Sequence, residues 1–324
     1  MQLSRMHTAP SEMFGLALAG YIGGMRLPQL LLLVLLGWMV HVAGFGMNSL
    51  VDYLHGYDAA DPSKRHHPLP SGRLTVAQAM SFVFAMQLAS VFYFMILSRS
   101  YIADAAFAAY VASGWIYNLT AKEHKVPAMF ELGVSMGALF LAGAALLGIL
   151  NPTIILASIY TGIVAVYQIG VDGDLKDLDA RTPERNVLRD LGTYVDDSGT
   201  MHTSRGGYAL ALSVSAAKAV AFALVAATIS PIWGIAMGAM GAITFTYFAL
   251  AMMRPGPFDH ARRLKIIGLC EVWSYVALVI ALFPLMLSWA PIAVALYLVA
   301  PVAYYYAMNR IMWPETGSGW APGV

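Results

Sequence analysis

The sequence predicts an all-α, multi-pass transmembrane helical bundle of nine or ten helices, with an Asp-rich cap on its cytoplasmic side. Three observations predict it. Residues of the AVILMFWYC class make up 59% of the 324 residues and charged residues only 11%, with a mean hydropathy of +0.66. Soluble domains run at roughly 45–50% apolar and about 25% charged, so this chain has too little polar material to cover a water-facing surface. Apolar stretches recur at close to the roughly 20 residues a helix needs to cross the hydrocarbon. Finally, 16 of the 19 Lys and Arg fall on one side of the layout those stretches define.

Other classes are excluded by the same figures. With 19 Lys and Arg against 18 Asp and Glu there is no basic excess, so no nucleic-acid partner is expected. Cys270 is the one cysteine and cannot close an internal disulfide. The opening MQLSRMHTAPSE is polar and is not followed by a short apolar core with a cleavage site, so no cleaved signal peptide is expected.

The candidate helices cover about 10–25, 28–50, 76–97, 102–119, 127–149, 152–171, 207–229, 231–252, 266–287 and 289–311, in a single domain over 1–324. The first is the weakest, since it holds Glu12 and several glycines. The second is near-continuously apolar and too long for a strand without turn signals. No run alternates apolar with polar residues, which excludes a β-barrel. The last two are separated only by residues 287–291, which leaves the count at nine or ten. With the N-terminus inside, the 16 cations lie in the tails and in 51–75, 120–126, 172–206 and 253–265. Cytoplasmic loops collect Lys and Arg, so both termini are expected inside.

Two inside loops, 48–75 and 172–206, carry most of the carboxylates. The first contains Asn48, Asp52, Asp58 and Asp61, then Lys64, Arg65 and Pro-Leu-Pro-Ser-Gly; the second contains Asp172, Asp174, Asp177 and Asp179, then Arg181, Arg185 and Arg189. Asn48 and Asp52 are four apart, and Asp174 and Asp177 three apart, so each pair shares a helix face. Two such clusters at helix ends repel each other unless divalent cations sit with them. Oxygen donors in this number suit Mg²⁺, which takes one or two carboxylates plus substrate phosphates. Neighbouring Lys and Arg then hold phosphate oxygens. The implied substrate is a diphosphate with a lipid tail. The acids lack the spacing of an EF-hand. His66 and His67 diverge and have no third ligand for zinc, and no Walker loop or serine elbow is present.

The stretch from Asn48 to Gly72 resembles the first Asp-rich motif of the UbiA superfamily of intramembrane polyprenyl transferases, Asn-Asp-x-x-Asp-x-x-x-Asp, commonly followed by Arg-Pro-[Leu/Ile]-Pro-Ser-Gly. Gly173-Asp174-Leu-Lys-Asp177-Leu-Asp179 is similar to the second, often Asn-Asp-x-x-Asp-Leu-x-x-Asp, and Tyr117-Asn-Leu-Thr-Ala-Lys122 to the family's Tyr and Lys between its fourth and fifth helices. The departures are Ser49 and Gly173 at positions where Asp and Asn are usual, Arg181 in place of a last Asp, and Gly56 at the third acid of the first motif. Asp58 fills that place through a two-residue insertion, with Asp61 as the alternative; Asp172 or Asp179 covers the second gap.

The resemblance implies Mg²⁺-dependent transfer of a polyprenyl group from its diphosphate to a lipophilic acceptor. It implies metal ligands Asn48, Asp52, Asp58, Asp174 and Asp177. It further implies diphosphate clamps Lys122, Arg65 and Arg185, and substrate contacts at Asn48 and Tyr117. Asp52, Asp177 and Lys122 carry the catalytic burden in this reading. An intramembrane terpene cyclase of the same superfamily, and a secondary transporter for an anionic lipid or metabolite, are the alternatives. Glu131 and Glu271 lie within spans, where an acid is a functional candidate by default; Glu131 is expected to reach substrate. Lys218 is expected to snorkel or pair with another helix.

Overall fold

The computed structural model describes residues 2–57, 67–120, 123–179 and 186–312. All ten predicted stretches hold helix. They are α1 (Pro10–Ile22), α2 (Leu27–Leu54), α3 (Val76–Leu97), α4 (Tyr101–Thr120), α5 (Lys125–Ala144), α6 (Pro152–Lys176), α7 (Arg205–Ala227), α8 (Pro231–Met252), α9 (His260–Ser288) and α10 (Ala290–Met312). Among the described residues, eight are long and apolar enough to cross a membrane. The two that fall short have evident reasons. At 13 residues α1 is too short, and α4 carries Asp104, Asn118 and three tyrosines. The last two helices are separate elements: α9 is α-helical to Leu282 and ends in a 3₁₀ segment over Phe283–Trp289, after which α10 begins at Ala290.

Local sequence sets the helix ends. Thr75 and Gln78 form a reciprocal capping box at the start of α3. Asn151, Ser204, Ser230 and Asp259 cap α6 to α9 with side-chain oxygens, and Pro152 and Pro231 sit in the first turn, where a missing N–H costs nothing. The outward faces are apolar: on α8, Ile232, Ile235, Ile243 and Tyr247 are all exposed. A water-soluble protein would cover such a stripe; lipid does so here.

The chain forms two compact units. One comprises Met1–Phe107, Leu141–Leu150 and Trp289–Val324. In it α1 and α2 pack so closely that a Cβ on Gly37 would lie 2.4 Å from Met13 Cα. Glu12, the residue that weakens the first stretch, is buried with its Oε2 3.1 Å from His41 Nδ1. That pairing explains how an acid is tolerated in this helix.

The other unit comprises Ala108–Phe140 and Asn151–Ser288. Here α5 and α6 meet through glycines, since a Cβ on Gly162 would lie 2.8 Å from Gly133 O. Tyr167, Val171 and Leu175 of α6 form a core with Ala211, Ala249, Met252 and Cys270. The end of α6 switches to a π-helical turn over Gln168–Gly173. Beyond it, the polar loop contributes β1 (Tyr194–Val195) and β2 (Thr200–His202), and the segment after α8 contributes β3 (Gly256–Pro257), to a small antiparallel sheet absent from the all-helical expectation. Asp196 closes the β1–β2 turn, its Oδ1 accepting from the N–H groups of Ser198 and Thr200 and from the Ser198 hydroxyl, its Oδ2 2.8 Å from His202 Nε2. Hydrogen bonds from Ser198, His202 and Thr200 hold its carboxyl well below the usual carboxylate range. This acid of the second loop is committed to structure.

Candidate active site

In the first unit, α2 runs unbroken through both residues of the leading pair, so Asn48 and Asp52 lie one turn apart on one face. Asp52 is buried and Asn48 half-buried. Ser49 donates from its hydroxyl to Leu3 O at 2.8 Å, which ties the N-terminal segment to α2. The helix ends two residues after Asp52: His55 N–H reaches Val51 O, Gly56 N–H reaches Tyr53 O, and Gly56 adopts φ +77°. Glycine enters this left-handed conformation at no steric cost. Asp58, Asp61 and Arg65 lie outside the described residues.

In the second unit, Asp174 begins the last helical turn of α6 and Asp177 ends it. Asp174 is fully buried and both its oxygens are engaged. Oδ1 pairs with Lys125 Nζ at 3.0 Å, and Oδ2 accepts the Val187 N–H at 2.6 Å. Asp177 is half-buried, and its carboxylate makes no hydrogen bond or ion pair among the described residues. Its backbone is fixed instead: Arg189 donates to Asp177 O at 2.6 Å and to Leu178 O at 3.3 Å. Asn186 caps the one-turn helix Val187–Asp190 and donates to Asp174 O at 2.6 Å. Asp179 is exposed, 3.8 Å from His260 Nδ1. Asp172, two residues before Asp174, has different neighbours: it is buried and lies in the field of Glu271 and Lys218.

Tyr117 and Glu131 are half-buried in the same unit. Glu131 Oε2 accepts from the Thr120 hydroxyl at 3.0 Å, which joins the end of α4 to the first turns of α5. Lys122 and Arg185 lie outside the described residues.

Set beside known proteins, the sequence matches the profile of the UbiA prenyltransferase family over residues 9–255. The chain belongs to the UbiA prenyltransferase family. It is therefore a multi-pass integral membrane enzyme of the prenyltransferase class. No curated protein matches the chain. Among solved structures, the fold is similar to that of a UbiA homolog from Archaeoglobus fulgidus bound to GPP and Mg²⁺, with a TM-score of 0.62 at 14% identity over 87% of this chain and 98% of the other. It is also similar to a digeranylgeranylglyceryl phosphate synthase, with a TM-score of 0.60 at 14% identity over 90% of this chain and 100% of the other. These likenesses establish the UbiA fold, and with it the helical bundle that the sequence predicts.

Sequence reasoning did not single out three residues around the second UbiA motif: Lys125, Asn186 and Arg189. Lys125 counted only as one of the topology-setting cations, and it starts α5 opposite no sequence neighbour of Asp174. Asn186 and Arg189 lie 12 residues beyond their backbone acceptors Asp174 and Asp177, so helical spacing gives no hint of the contact.

Proposed function

We propose that the chain transfers a polyprenyl group from its diphosphate to a lipophilic acceptor, releasing diphosphate, in a Mg²⁺-dependent reaction at the cytoplasmic face. The observation that carries this reading is the carboxylate pair at the end of α6: Asp174 already holds a cationic group, the Lys125 ammonium, while Asp177 beside it is open. Hard oxygen donors of this kind, with room left for phosphate oxygens, fit Mg²⁺. The A. fulgidus homolog bound to GPP and Mg²⁺ supports the same assignment.

Asn48 and Asp52 of the first motif, and Asp174 and Asp177 of the second, are the proposed Mg²⁺ ligands, with Asp58 completing the first set. When bound, Mg²⁺ neutralises charge on the departing diphosphate. Arg189 and Asn186 hold the Asp177 and Asp174 backbones, so these carboxylates are oriented before substrate arrives. Lys122, Arg65 and Arg185 neutralise the remaining phosphate charge. Tyr117 and Glu131 contact substrate from α4 and α5. The allylic C–O bond breaks with its electron pair leaving on diphosphate, a nucleophilic atom of the acceptor bonds to the allylic carbon, and the acceptor loses a proton.

Purified protein in lipid nanodiscs, given an allylic prenyl diphosphate and Mg²⁺ with and without a phenolic acceptor, tests this. Diphosphate release with a prenylated acceptor is the expected result. A cyclic hydrocarbon formed without acceptor would replace transfer by cyclisation, and no release at all would end both readings.

Gly56 gives a second test. A Cβ there meets nothing within 4 Å, so the cost of a side chain is confined to the backbone. Left-handed φ costs an L-residue about 1–2 kcal/mol, more when β-branched. Gly56→Val is expected to redirect the chain that leads to Asp58 and to lower turnover about tenfold or more, that is ~1.4 kcal/mol. Its melting temperature should fall by only a few degrees. Unchanged turnover would remove the Gly56 turn from the site.

A further inference from the structure

The chain that follows the first motif folds into a tight loop ahead of α3. Ser71 N–H reaches His67 O, Gly72 N–H reaches Leu69 O and Leu74 N–H reaches Pro68 O, with Gly72 in the left-handed region at φ +72°. Arg73 Nε donates to Ser71 Oγ at 3.1 Å. The N-terminal segment is held at two points: Ser49 donates to Leu3 O, and Gln2 Nε2 donates at 2.8 Å to Met312 O at the end of α10. Between these three segments lies a cavity of about 350 Å³, within the roughly 300–1,000 Å³ range of small-molecule sites. Every residue that lines it belongs to the first unit. Its walls are hydrogen-bonded in place, so the cavity is preformed.

Charge, lining and depth say what fits. Arg73 is exposed at the cavity, and none of the described residues lining it is acidic or aromatic. A guanidinium matches phosphate oxygens with paired N–H groups. Apart from Arg73 and Gln2 the lining is apolar: Leu3, Pro68, Leu74, Ile311 and Met312. A free anion gains nothing from such walls, whereas an amphiphile buries apolar surface against them. The spanning helix α3 begins at Val76, three residues after Arg73, and α10 reaches Met312. The cavity therefore lies where two spanning helices meet the edge of the hydrocarbon, at the level of lipid head groups. Further along α3, Met80, Phe84 and Leu88 are exposed at a spacing of four, so the helix surface beyond Arg73 stays apolar toward the membrane interior.

We propose that this cavity binds an anionic phospholipid, with the phosphate diester on Arg73 and the glycerol and first acyl carbons on the apolar walls. The site is separate from the proposed Mg²⁺ ligands, none of which lines it. Basic pockets at the ends of spanning helices suit anionic head groups. A zwitterionic choline head brings a quaternary ammonium that needs a carboxylate or an aromatic face, and the lining offers neither. Phosphatidylglycerol is therefore favoured over phosphatidylcholine. A lipid seated here bridges the N-terminal segment, the loop after the first motif and the end of α10. Leu3 is in turn fixed to Ser49, the neighbour of Asn48, so the lipid braces the end of α2 that carries the first motif.

Native mass spectrometry of the delipidated full chain in detergent, titrated with phosphatidylglycerol or phosphatidylcholine of matched acyl chains, tests this. Wild type is expected to bind phosphatidylglycerol at least about tenfold more tightly. Arg73→Gln alters an exposed side chain. It should bring the ratio of affinities to about one, with the melting temperature of the lipid-free protein within a few degrees of wild type. Arg99→Gln removes an exposed charge just past the other end of α3 and should keep the preference, which separates a site from general attraction to a cationic surface. Soluble glycerol 1-phosphate should not displace the lipid, and neither should geranyl S-thiolodiphosphate with Mg²⁺. Equal binding of the two lipids, or equal loss of preference in Arg73→Gln and Arg99→Gln, would overturn the site. Displacement by glycerol phosphate would make it a plain anion site, displacement by the diphosphate analogue would make it part of the substrate site, and either overturns the lipid assignment. Absence of phosphatidylglycerol binding would leave the cavity to another segment or a second copy of the chain, and overturns it as well.

Discussion

Asp177→Ala and Asp52→Ala are each expected to lower diphosphate release about a thousandfold or more, equivalent to ~4 kcal/mol of lost transition-state stabilisation. The two positions differ in what else the change disturbs. The Asp177 backbone is held by Arg189 through its carbonyl and not through its carboxylate, so truncation leaves the turn in place. The Asp52 side chain is buried 3% exposed near the end of α2, and its loss opens a small polar void as well. The melting temperature of Asp177→Ala should therefore match wild type within a few degrees, while that of Asp52→Ala shifts more. Asp174→Ala is a poorer probe, because it strands the half-buried Lys125 ammonium and the Val187 N–H together. Near-normal release by Asp177→Ala would remove the second motif from the reaction.

The helices were legible because each apolar stretch is long and bounded by Pro, Gly or a capping residue, signals that act within a few positions. The Asp-rich motifs were legible for the same reason: their spacing of three and four is a property of one helix. Gly56 is a residue at which a chain can leave a helix, and it does so there with φ +77°. What could not be read depends on contacts between distant segments. Lys125 and Asp174 are 49 positions apart, and Lys218 and Ser274 are 56 apart. The sequence left Lys218 either to snorkel or to pair with another helix, and tertiary packing selected the second, through Ser274 of α9. The short sheet was missed because its strands are two or three residues long and Gly256–Pro257 joins from beyond α8.

Metal dependence is the other large effect. Eleven of the 18 Asp and Glu fall in 51–75 and 172–206, and a dianionic or trianionic diphosphate brought among them without a cation would be repelled. Removing divalent cations with chelator is expected to lower turnover by at least about a thousandfold, with recovery on adding Mg²⁺ or Mn²⁺. Partial redundancy is not expected from protein cations, since Lys125, the one ammonium paired with the second motif among the described residues, is already committed to Asp174.

The most direct measurement removes chemistry altogether. Geranyl S-thiolodiphosphate keeps the diphosphate head but resists ionisation, so its affinity for the protein in nanodiscs reports the head-group site alone. The account predicts saturable binding with Mg²⁺, weakened at least about a hundredfold both in chelator and in Asp177→Ala. Equal binding with and without divalent cation, unaffected by Asp177→Ala, would contradict it.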